Sequence, residues 1–101
     1  MTAAYVLTET AEEELDAILA FVAERDGADR AVRVYEAFVK AFNSIADAPN
    51  AGFLRPHLTG SFRWRPVFRF LVIYDPDSLP PTILRVVHGA RDLEFLLSSD
   101  S

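Results

Sequence analysis

Five consecutive apolar residues, Phe70-Leu71-Val72-Ile73-Tyr74, constrain this chain more than any other stretch. A run of that length with no polar interruption reads as a central strand covered on both faces. Just upstream, Phe62, Trp64 and Pro66 alternate with Arg63, Arg65 and Val67, the period-two pattern of a strand whose two faces differ. Only Phe68-Arg69 separates the two runs, which forces a tight hairpin. Downstream, Pro76 and Pro80-Pro81 mark a longer turn before a third run, Thr82 to His88, after which Gly89 lets the backbone turn sharply. Residues 61–92 therefore read as one antiparallel layer carrying arginines.

The first half of the chain supplies the cover for that layer. Tyr5-Val6-Leu7 is a short edge strand within Thr2 to Leu7, whose place in the sheet order the sequence leaves open. Thr8 or Thr10 caps a helix, Thr10 having Glu13 at the capping-box spacing, and Glu12-Glu13-Glu14 forms its solvated, dipole-favoured start. Ala11, Leu15, Ile18, Leu19 and Val22 make one apolar stripe, and Gly27 ends the helix. Asp29 is placed to cap a second helix with the stripe Ala31, Val34, Phe38, Ala41 and Ile45, widened by Tyr35, Val39 and Phe42. Pro49 and Asn50-Ala51-Gly52 stop it and open a loop through Arg55-Pro56-His57 to Gly60. Leu93 to Leu97 forms a terminal helix or extended tail, and residues 98–101 a frayed end. The expected fold is α+β: a strand, an antiparallel helical hairpin, then a three-stranded antiparallel meander with the helices on one sheet face. A chain of 101 residues makes this a single domain, 1–101.

Charge and composition narrow the chemistry. The net charge of −5 is not that of a general nucleic-acid binder. Residues 1–52 hold ten Asp/Glu against four Lys/Arg, and residues 53–101 hold five against six, so cationic side chains concentrate on the sheet. With no cysteine, disulfides, thiolate zinc sites and thiol nucleophiles are excluded. No apolar run approaches the length of a membrane span, and the N-terminus lacks a signal-peptide pattern, so a soluble, cytoplasmic protein is expected. Half the residues are hydrophobic, a high share for so small a domain, and some of that surface is expected to meet a partner.

Several fragments in order carry a resemblance. Leu7-Thr8, Ala48-Pro49-Asn50-Ala51-Gly52 with Arg55-Pro56, Arg65-Pro66-Val67 with Arg69 to Tyr74, and Arg85-Val86-Val87-His88-Gly89-Ala90-Arg91-Asp92-Leu93 together resemble the RelE/ParE superfamily of toxins from bacterial type II toxin–antitoxin modules, in its ParE-like branch. The resemblance implies a growth inhibitor neutralised by a co-expressed ParD-like antitoxin with a ribbon-helix-helix half, the two forming a hetero-oligomer that meets DNA only through the antitoxin. It also implies DNA gyrase as target for ParE-like members and mRNA on the ribosome for RelE-like ones. Phe68 departs from the pattern, since many relatives place Gly or another turn-former in the hairpin.

The site residues follow from these readings. Arg63, Arg65, Arg69, Arg85, His88 and Arg91 are the candidates for target binding, with Arg91-Asp92 also able to form an ion pair that fixes the C-terminal segment. Leu15, Ile18, Leu19, Val22, Phe38 and Phe42 are the candidate anchors for an antitoxin helix or added strand, so that Asp at Leu19 or Phe42 should weaken the complex and leave the fold intact. No catalytic residue is assigned under this reading, and no cofactor or metal. A ribonuclease of RelE type would need a base, an acid and phosphate clamps, for which His88, Tyr74, Arg65, Arg69 and Arg85 are the available groups. A third alternative is a family member without toxicity that only binds antitoxin.

Overall fold

The computed structural model describes residues 4–54 and 62–89, and the sheet runs through its middle. Strand β1 (Val6–Leu7) leads into α1 (Glu9–Asp26) and α2 (Ala28–Asp47). A 3-10 turn (Pro49–Ala51) follows, then β2 (Phe53–Leu54), β3 (Arg63–Val67), β4 (Phe70–Asp75) and β5 (Thr82–His88). The sheet order is β1-β5-β4-β3-β2, so the all-apolar run is indeed the middle strand. Val72 and Tyr74 face the helices, whereas Leu71 and Ile73 join Val87, Phe62 and Trp64 in a second cluster.

The helical hairpin is defined by its caps. Thr8, not Thr10, is the N-cap: its Oγ1 accepts from the Ala11 N–H at 3.0 Å and donates to the Leu84 carbonyl at 2.8 Å. The same hydroxyl therefore starts α1 and ties it to β5. Gly27, at φ 95°, ends α1 and opens α2, a conformation that glycine reaches without a Cβ clash. No side chain caps α2, so Asp29 sits in its first turn rather than at the cap expected for it. The helices bury Ala11, Leu15, Val22, Val34, Phe38, Ala41, Phe42 and Ile45 against Val67, Val72, Tyr74, Ile83 and Val86.

The sheet holds more than the meander that the sequence pattern shows. β1 pairs in parallel with β5 (Val6 opposite Thr82), and β2 pairs antiparallel with β3 (Phe53 opposite Trp64). β1 is the edge strand expected at Tyr5-Val6-Leu7 and now has its place beside β5, whereas β2, two residues long, is too short for a period to declare itself. Between β4 and β5 the register slips: Ile73 faces Arg85 while Tyr74 faces Ile83, leaving Leu84 as a bulge. Phe68 at φ 55° is the first residue of the two-residue β3–β4 turn, the arrangement of a type II′ hairpin, where glycine is preferred. Gly89 has another reason to be glycine than a turn. A Cβ there would lie 2.9 Å from the Arg69 carbonyl, to which the Gly89 N–H donates at 2.7 Å.

Candidate functional site

A groove opens where α1 leaves the sheet. Ile18, Phe21 and Arg25 from α1 stand opposite Arg69 and Phe70 at the hairpin and His88 at the end of β5, around a concavity of about 460 Å³. A second concavity of about 440 Å³ shares Phe21, Arg25, Arg69 and Phe70 and extends to Arg30 and Phe68. The Arg25 guanidinium lies 5.7 Å from the Phe21 ring centre, and that of Arg30 lies 5.6 Å from Phe68. His88 meets the Phe70 ring edge-on at 5.8 Å.

Of the six target-binding candidates, this groove collects Arg69 and His88. Arg85 is next to it but engaged: Nε donates to both oxygens of Glu14 at 3.0 and 3.1 Å, and Nη2 donates to Oε2 at 2.7 Å. Glu14 Oε1 also accepts from the Val86 N–H at 3.0 Å, occupying the open edge of β5. Glu14 is therefore not part of a solvated helix start, although Glu12 and Glu13 are exposed as expected. A signal for this existed in the sequence. Glu14 falls on the apolar stripe of α1, three residues after Ala11 and four before Ile18, where an acid needs a partner.

Arg63 and Arg65 lie elsewhere on β3. Arg63 Nη1 donates to the Gly52 carbonyl at 2.8 Å, pinning the segment after α2 to the sheet. Arg65 borders a separate hollow with Lys40, Ser44 and Pro66. Arg91, its proposed pair with Asp92, the loop 55–60, the terminal segment 93–97 and the tail 98–101 lie outside the described residues.

Four of the six antitoxin anchors are not surface at all. Leu15, Val22, Phe38 and Phe42 are 7%, 8%, 0% and 2% exposed, because the centre of each helical stripe is covered by the chain's own sheet. Ile18 lines the groove, and Leu19 is half-buried against the core. Asp at Phe42 is thus a core lesion, contrary to the expectation that the fold would tolerate it. Phe21, 58% exposed, is the apolar residue of α1 that faces out, and the stripe did not single it out.

Tyr74 is withdrawn from chemistry. Its side chain is fully buried, its Oη donates to the Pro49 carbonyl at 2.7 Å and accepts from the Gly52 N–H at 3.1 Å. Gly52 is close enough that any Cβ would overlap the Tyr74 hydroxyl and approach the Trp64 carbonyl to 3.1 Å. Desolvation raises the Tyr74 pKa above 10.0, the Gly52 hydrogen bond and the charges of Arg63 and Arg65 opposing it in part. The unfolded chain therefore loses this proton first, and stability should fall as pH rises from about 10 through the folded pKa. Denaturation midpoints measured across that range should show the slope in the native sequence and its loss in Tyr74→Phe. Among the described residues, no three His, Asp or Glu side chains gather where they could hold a metal ion, and no helix is long and apolar enough to cross a membrane.

A family model described as the ParE toxin of the type II toxin–antitoxin system, parDE, matches residues 5–93. The chain belongs to the ParE toxin family. A solved structure described as the chromosomal ParDE toxin–antitoxin system from P. aeruginosa superposes with a TM-score of 0.71 at 21% identity, covering 83% of this chain and 92% of that one. At that identity the likeness speaks for the fold, and it agrees with the α+β arrangement above. A search of the curated proteins returned no match. Among the described residues, the groove with Arg69 and His88 brings Arg25 and Arg69 together with the exposed ring of Phe21.

Proposed function

We propose that this ParE-family chain arrests growth by binding DNA gyrase and is held silent by a ParD-like antitoxin in a cytoplasmic hetero-oligomer. The antitoxin carries the DNA-binding half, so the toxin meets DNA only through it. The observation that favours binding over catalysis is the dispersal of the groups an RNA-cleaving site would need. Tyr74 is locked in the core, Arg85 is clasped by Glu14, and Arg65 lies at a different hollow from His88. A base, an acid and phosphate clamps must converge within hydrogen-bond reach of one phosphate, which this placement does not support. Target contact is assigned to Arg69 and His88 in the groove, with Arg63, Arg65, Arg85 and Arg91 still to be tested by substitution. Antitoxin contact is assigned to Ile18 and Leu19, the two anchor candidates with surface to offer.

The test is expression of the chain with and without its neighbouring antitoxin gene. Gyrase poisoning predicts filamentous cells and a DNA-damage response, both prevented by the antitoxin. Rapid loss of translation would instead indicate mRNA cleavage, and unimpeded growth would indicate a member that only binds antitoxin.

A further inference from the structure

The groove holds a set of side chains that neither the fold nor the family assignment accounts for. Arg25, Arg30 and Arg69 are exposed and, among the described residues, none has a carboxylate within ion-pair distance. Two of them lie over exposed rings, Phe21 and Phe68. A cation held near a ring spends none of its N–H donors on that contact, so they remain available to a carboxylate.

Phe68 sharpens the point. It is 61% exposed and sits at φ 55°, so neither burial nor backbone preference favours a bulky side chain there. Residues kept against both preferences mark functional positions more often than structural ones.

We propose that this groove takes a short acidic peptide segment of a partner protein, its carboxylates held by Arg25, Arg30 and Arg69 and its apolar side chains laid on Phe21, Phe68 and Phe70. The proposal rests on the reading above only in taking the chain to act by binding protein. Charge complementarity selects the occupant. In a chain of net charge −5 the three cations form a local island, and Asp26 borders the second concavity while Glu14 borders the first. A nucleic-acid backbone longer than the island would run onto the acidic face of α1, whereas a short peptide ends within it. Arginine and aromatic residues are also the side chains that dominate protein–protein contacts.

A random-sequence peptide array probed with the labelled chain tests this directly. Binders should be enriched in Asp and Glu next to Leu, Ile or Phe, and the best of them should lose about tenfold or more in affinity on Arg25→Glu or Arg69→Glu. Phe68→Gly separates binding from folding: it relieves the turn, so the denaturation midpoint should hold or rise while affinity drops. Binders without acidic enrichment, unchanged affinity in the three variants, or preference for a single-stranded oligonucleotide over every peptide would each overturn the proposal. Growth assays keep the two readings apart. Arrest by the native chain that survives Arg25→Glu and Arg69→Glu spares the toxin assignment and defeats the placing of target contact at Arg69; absence of arrest defeats the toxin assignment, and in either case the array decides the groove.

Discussion

Phe42→Ala is expected to destabilise the fold by about 3–5 kcal/mol, the usual cost of emptying a fully packed aromatic site. Phe42 is 2% exposed, with Tyr5 at 5.3 Å and Phe38 at 6.1 Å between ring centres. It stands where α2, the segment before β1 and the sheet meet, so no single neighbour can close the cavity by shifting. Because a small domain is stable by only about 5–15 kcal/mol, the variant should lie near the limit of folding. Urea denaturation of Phe42→Ala beside Phe21→Ala makes the contrast. The exposed Phe21 should change the midpoint little, and any loss of partner binding in that variant then belongs to the surface.

The second large effect is expected at Glu14. Its carboxylate receives three hydrogen bonds from Arg85 and a fourth from the Val86 backbone N–H, joining α1 to the β5 edge beyond the reach of β1. The side chains of Arg85 and Glu14 retain 41% and 23% exposure, so the ion pair is screened in part and is worth less than a buried one. Glu14→Ala should cost about 2 kcal/mol, chiefly by leaving the Val86 N–H without its acceptor. Glu14→Gln, which keeps an oxygen for Val86, should lose about half of that. A double-mutant cycle with Arg85→Met measured by chemical denaturation should return a coupling of about 1 kcal/mol. Zero coupling would show that the edge of β5 does not need this clasp. Arg85 variants must therefore be compared at equal folded fraction before any change in growth arrest is ascribed to a target.

What the sequence made legible was the part governed by period and punctuation. The apolar run 70–74 and the alternation of 62–67 specify two paired strands, and Gly27 marks the joint between the helices. The edge strand β1 was legible as a strand but not its partner, and β2 escaped altogether, because both pairings are decided by distant residues, Thr82-Ile83 and Arg63-Trp64, not by local pattern. The site was less legible for a related reason. A stripe such as Leu15, Ile18, Leu19 and Val22 shows which side of α1 is apolar. It does not show how much of that side the chain covers itself, and the sheet covers Leu15 and Val22 while Ile18 remains at the groove. Arginines on a strand are likewise ambiguous until their partners are seen. Arg63 and Arg85 turned out to fasten the fold, while Arg69 stands clear. Arg25 and Arg30 lie on the acidic half of the chain, and charge summed by sequence halves hides them because the groove is assembled across those halves.

The most direct test of the central claim, inhibition by binding and not by cleavage, is to add the purified chain to gyrase supercoiling plasmid DNA and, in parallel, to ribosomes translating an mRNA. The account predicts that supercoiling stops and gyrase-cleaved DNA accumulates, reversed by the antitoxin, while the mRNA stays intact. Undisturbed gyrase together with mRNA cut on the ribosome would contradict it.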